Sequence, residues 1–354
     1  MIPSPTFIIG TERSGSNLLR LLLCAHPHFA VPHPPHLMRD LSPFVHLFGD
    51  LNEDARFREL IASVKLIVAH HFAPWPLSVD ENLLFKEAPS RSLYGIYVAL
   101  YEQYRRHLNR KRWACKSTFM YQHIREILDL HPEPRFIHLI RDPRDVAASA
   151  SQSVFSRFHP YKEAQLWVEQ QMAIESWSFL EAEGKLFRLR YEDLVQDPKI
   201  SLKNLMGFLN EDLLDDQLLF FRNPESIEIA SLMKSWGMLS RPISTASLSR
   251  YKLDLNAREI ESVEFVSATL MKKYGYPLSM QVRPQKSKIV HSFAMIFIEI
   301  SDLLKRVRVE VAALFFDKNF FLRWHKAILI QYLKLKMKVK SIWVGGRNGI
   351  RTAQ

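Results

Sequence analysis

The sequence is short of several features that would settle its class at a glance. It has two cysteines in 354 residues, Cys24 and Cys115, both in apolar contexts and far apart. That excludes a disulfide framework and fits a reducing compartment. The first residues, "MIPSPTFIIG", lack the charged head, long apolar stretch and small-residue cleavage site of a secretory leader. Near the other end, the longest apolar stretch is "IVHSFAMIFIEI", well below the roughly 20 residues a spanning helix needs. A cytoplasmic protein without a transmembrane segment is therefore expected. There is no internal repeat. The last absence is the most informative: "FIIGTERSGSNLLRLLL", residues 7–23, has the outline of a nucleotide-binding loop but not its lysine.

What is present describes a globular chain. With 47% hydrophobic and 24% charged residues it can bury a large core, as one big domain or one domain with an appendage. The formal net charge of +11 is gathered mainly in residues 285–354, so the basicity belongs to a tail and says little about the main domain. Three apolar runs read as buried strands: "TFIIG" (6–10), "RFIHLIR" (135–141) and "KLFRLRY" (185–191). Helical patterns such as 92–108 and 161–184 separate them. That alternation predicts an α/β domain around a mainly parallel sheet, with ligands beyond the carboxyl ends of the strands. A serine-rich stretch (240–252) and another helical pattern follow, closed by Gly275 and Pro277. The main domain is placed at 1–284 and a basic, helical extension at 285–354.

The first loop holds Gly10 and Gly15 at the spacing of G-x-x-x-x-G-K-[ST], but Ser16 and Asn17 stand where lysine and a hydroxyl residue would. A triphosphate held with magnesium is thereby weakened. Arg13 still offers a fixed positive charge, and the amides of residues 14–17 open a helix toward an anion. A phosphate-like group held without a metal is the expectation; a merely connecting glycine turn is the duller reading. The second loop, "FIHLIRDPRDVAASASQS", repeats the plan. Arg141 ends a strand, Pro143 suits the first turn of a helix, and Ser149 lies two turns on. One loop per phosphate implies a ligand with two separated phosphate groups.

"GTERSGSNLLR" together with "LIRDPRDVAASAS" resembles the pair of motifs with which sulfotransferases hold 3′-phosphoadenosine 5′-phosphosulfate. The similarity extends to "CKSTF" (115–119), "FRLRYEDLVQDP" (187–198) and, more weakly, "STASLSRYKLDL" (244–255), in the right order over roughly residues 5–275. The resemblance implies a P-loop NTPase-like three-layer fold. It implies Arg13 near the oxygen bridging phosphate and sulfate, Ser14, Gly15, Ser16 and Asn17 around the 5′-phosphate, Arg141 and Ser149 on the 3′-phosphate, and Tyr191 near the adenine. Glu12 departs from the family's common proline, and Ser16-Asn17 from its common Thr-Thr.

Moving a sulfuryl group to an alcohol, phenol or amine needs a base, cations for the leaving oxygen, and in-line geometry. Arg13 and Lys116 are the candidate cations, with a surface role for Lys116 as the competing reading. Related enzymes carry a glutamate or histidine base; here "AHPHFAVPHPPHLMRD" holds His26, His28, His33 and His36, and no glutamate follows before Glu53. Histidine can accept a proton near neutrality. His36, after two prolines, ranks above His33, with Asp40 one turn later as a group to orient it. Zinc binding fits poorly, since Cys24 is the nearest thiolate; packing against prolines competes. His138 reads as a core histidine. Two other functions remain in view, a metal-dependent nucleotide kinase and a non-catalytic adaptor at a membrane surface. The basic amphipathic tail fits either an anionic membrane or packing on the main domain, and no reader motif points to nucleic acid.

Overall fold

The structure, a computed structural model, describes residues 4–153, 158–279 and 288–351. The boundary expected near residue 284 lies outside the described residues. In chain order the elements used below are β1 (Thr6–Gly10), α1 (Ser16–Cys24), β2 (Phe29–Ala30), α2 (Leu37–Leu41), α3 (Asp54–Ala69), α4 (Leu93–His107), β3 (Arg112–Cys115), β4 (Arg135–Ile140), α5 (Pro143–Ala150), α6 (Pro160–Glu175), β5 (Leu186–Arg190), α7 (Tyr191–Gln196), α8 (Ala257–Lys273), α9 (Lys288–Phe316) and α10 (Phe320–Arg351). All three strands read from the apolar runs form, and the fold is α/β. The chain divides into two compact units, one of residues 7–26 and 135–318, the other of 1–6, 27–134 and 319–354.

In the first unit the strand order is β1-β4-β5. β4 and β5 run parallel, registered from Phe136 opposite Leu186 to Ile140 opposite Arg190. β1 is buried along its whole length, as expected of a parallel strand covered on both faces. α5, α6 and α8 pack together. Their contacts bury Val146, Trp167, Met271 and Tyr274 in one cluster and Ala147, Ala164, Tyr251 and Val263 in another. The alanines on α5 let neighbouring segments come close. His138 sits in this core, its Nε2 at 2.6 Å from Gln171 Oε1, and burial pushes its pKa down to about 4. The reading of His138 as a core histidine therefore holds.

In the second unit β2 and β3 pair in parallel, Phe29 with Arg112 and Ala30 with Trp113. α4 lays Tyr97 and Tyr101 against Trp113, and both phenols reach Cys115 Sγ, at 2.6 and 3.6 Å. The tail helix α10 packs on α3 and on the 3₁₀ turn Ser42–Phe48, with Leu333 and Met337 buried. Among the described residues, no helix is long and apolar enough to cross a membrane.

Candidate active site

The first loop is shaped by three residues with positive φ, Gly10, Arg13 and Gly15. Gly10 ends β1 where a Cβ would lie 2.4 Å from the Leu139 carbonyl oxygen on β4, so only glycine lets the two backbones approach. Arg13 (φ 66°) and Gly15 (φ 91°) then turn the chain, and at Gly15 a Cβ would fall 2.3 Å from the Tyr191 ring. α1 starts at the next residue, and no side chain caps it. Its first-turn amides therefore face outward without the usual capping oxygen. Beside them the hydroxyl of Ser14, fully buried, and the buried Oδ1 of Asn17 have no hydrogen-bond partner.

The second loop meets the first. Arg13 Nε donates to Ser149 Oγ on α5 at 3.1 Å, and Arg141 Nη1 donates to the Arg13 carbonyl at 2.8 Å. Arg141 Nη2 donates to the Ser247 carbonyl at 2.8 Å, while its Nε is buried without a partner. The guanidinium lies 4.5 Å over the Tyr191 ring, whose hydroxyl is 2.7 Å from Ser247 Oγ. Burial first, and then the neighbouring Arg141 charge, lower the pKa of Arg13. Two arginines crowded together, Arg141 buried and Arg13 half-buried, favour an anion that relieves their repulsion. Every residue expected to hold the nucleotide (Arg13, Ser14, Gly15, Ser16, Asn17, Arg141, Ser149 and Tyr191) lies in this unit.

The other expected residues form a cluster in the second unit. His36 precedes α2 with φ 56°, a conformation uncommon for a histidine. Its Nδ1 is 3.0 Å from Ser117 Oγ, and its ring meets Phe119 edge-on. Burial, then the charges of Arg39, Lys116 and Lys326, hold the His36 pKa well below the usual value. His33 is buried, with Nδ1 3.0 Å from His71 Nε2. Lys116 follows β3 directly and is buried, which corrects the surface reading. Asp40 does not orient His36. It pairs with Arg39 at 2.7 Å and with Lys326 of α10 at 2.9 Å, and Ser117 is the group that holds the imidazole.

A model of the sulfotransferase family matches residues 5–216, well over half of the chain. The chain belongs to the sulfotransferase family. It is similar to the sulfotransferase domain of the Synechococcus PCC 7002 olefin synthase, with 20% identity and a TM-score of 0.55 over 78% of this chain and 96% of that one. The sulfotransferase domain from the curacin biosynthetic pathway is also 20% identical, with a TM-score of 0.52 over 78% and 99% of the two chains. At such identity these likenesses show the fold. Nodulation protein NoeE of Sinorhizobium fredii is 23% identical over 302 residues, 79% of this chain and 68% of that protein. An uncharacterized protein of Aquifex aeolicus is 24% identical over 239 residues, which span 64% of this chain but only 28% of that protein.

Three features of this sulfotransferase-family site escaped the reading of the residues. Asp145 on α5 accepts from the amides of Ser249 (2.8 Å) and Tyr251 (3.0 Å), so the stretch 244–251 is tied down beside Arg141. Ser247 supplies the contacts to Arg141 and Tyr191. Thr11 Oγ1 accepts from Gln171 Nε2 at 3.0 Å, which in turn meets His138. All three lie inside stretches quoted for the resemblance, Thr11 in the first motif, Asp145 in the second and Ser247 in 244–255, but nothing in the sequence named their distant partners.

Proposed function

We propose that the protein transfers a sulfuryl group from 3′-phosphoadenosine 5′-phosphosulfate to a hydroxyl-bearing acceptor. The observation that carries this reading is the meeting of Arg13, Ser149 and Arg141 beside the uncapped start of α1, with the Ser14 hydroxyl and Arg141 Nε left unpartnered. These donors fit a ligand with two phosphate groups. Arg13 and residues 14–17 serve the phosphosulfate end, Arg141 and Ser149 the 3′-phosphate. Tyr191, with its ring against Gly15 and under Arg141, borders the adenine. The donor supplies the activated sulfuryl group; the chain positions it and offers fixed cationic donors for charge that grows on the leaving oxygen.

His36 accepts the acceptor proton in this reading. With Nδ1–H donated to Ser117 Oγ, its Nε2 keeps a lone pair, and the depressed pKa keeps the ring neutral at working pH. Lys116 adds a cation, and His33, committed to His71, ranks behind His36. Calorimetric titration with 3′-phosphoadenosine 5′-phosphate tests the donor site, with ADP and ATP beside it and with and without magnesium. Tight binding that needs the 3′-phosphate and ignores magnesium is expected. A preference for ATP with magnesium would instead favour a kinase, and nucleotide binding without sulfate transfer to any acceptor an adaptor.

A further inference from the structure

α10 has two apolar faces, and only one of them is covered. On the inner face Lys326, Leu333 and Met337 are buried, with Lys336 and Lys340 reaching Glu59 of α3 at 3.5 and 2.5 Å. On the outer face stand Trp324, Ile328, Tyr332, Leu335, Val339 and Ile342, each between 47 and 64% exposed. Their spacing of three and four residues keeps them within one narrow stripe, about 27 Å long at the helical rise. Among the described residues, the inner face is the one that docks on the unit, and the outer stripe is left exposed.

Charge decides what the stripe meets. From Phe320 to Arg351 the helix carries eight lysines and arginines and no aspartate or glutamate. Lys334 and Lys338 lie along one edge of the stripe and Lys336 along the other. A second copy of the chain, docked stripe to stripe, would set Lys334 and Lys338 of two such helices together with no acidic residue on either helix to offset them. A spanning helix is excluded by its composition. Trp324 and Tyr332 are the aromatic types that suit the level of lipid headgroups. We infer that α10 lies on an anionic lipid surface, its stripe in the headgroup boundary and Lys334 and Lys338 on the phosphates.

The test uses the full chain and sedimentation with vesicles of phosphatidylcholine alone, or with about one third phosphatidylserine. Binding to the anionic vesicles, weakened at least tenfold by raised salt and by removal of phosphatidylserine, is the expected result. The pair Ile328→Asp and Leu335→Asp, and separately the pair Lys334→Glu and Lys338→Glu, should each reduce binding about tenfold or more with an unchanged melting temperature. All four positions are exposed, so the substitutions leave the buried core untouched. Absence of binding to anionic vesicles would overturn the inference, as would binding that both pairs leave intact. A dimer in solution that Ile328→Asp dissociates would also overturn it and assign the stripe to a second copy. None of these readouts depends on sulfate transfer.

Discussion

At the scale of single residues, the loop arginines are held by groups that leave their charges intact. Arg13 donates to a serine hydroxyl and Arg141 to two backbone carbonyls. Arg13→Ala should therefore weaken nucleotide binding and slow turnover by about 100-fold or more, whereas Arg13→Lys keeps charge without the planar fork and should fall between. Arg141→Ala should abolish the preference for nucleotides bearing a 3′-phosphate, read by titration against ADP. Normal discrimination in that variant would remove Arg141 from the site. His36→Ala should cost about 100-fold or more in kcat with little change in nucleotide affinity. If His33→Ala loses that activity and His36→Ala keeps it, the ranking of the two is reversed. Because the His36 pKa is depressed, the acid limb of the rate profile should lie below the usual histidine range.

At the scale of elements, the site depends on α5 as a fixed post between two loops. Its N-terminus is capped by Asp142, which also grips Arg144, and Arg144 pairs with the buried Glu264 of α8. Asp145 on the same helix holds the amides of Ser249 and Tyr251. Asp145→Ala should release residues 244–251, which limited proteolysis would read as faster cleavage there, and should weaken nucleotide binding through Ser247. Unchanged cleavage would show that Tyr251 packing alone holds the segment. The elements themselves were largely legible: β1 and β4 announce themselves as apolar runs because buried parallel strands need no polar face, while β5, at the sheet edge, buries Leu186 and Leu189 and leaves Arg188 and Arg190 half-buried. β2, with two residues, is too short to carry a pattern. The partners of α5 lie about a hundred residues away, and no local periodicity records them.

At the scale of the whole molecule, pH acts through histidines buried as neutral rings. His138 and His131 are pushed down to about 4 by burial, and His71 is held well below the usual value for the same reason. In the unfolded chain such groups titrate near 6.5. As pH falls below that value the unfolded state takes up protons first, so stability is lost from about pH 6.5 downward and is flat above about pH 7. A shift of this size corresponds to about 3 kcal/mol for a ring as deeply buried as His138. Urea unfolding midpoints between pH 8 and 5 would check the sign. A midpoint that rose on acidification would contradict it.

The sequence by itself determined the α/β class and the places of the two loops that follow β1 and β4, because glycine spacing, strand hydrophobicity and the order of motifs are local properties of the chain. Tertiary structure alone decided that Ser117 rather than Asp40 holds His36, since the group at hydrogen-bonding distance comes from a strand end 81 residues away. It also decided that Lys116 is buried, that Ser247 and Asp145 belong beside Arg141, and which face of α10 is covered. Each of these is a question of which distant surfaces meet, and an amphipathic pattern fixes only that a face exists, not what lies against it.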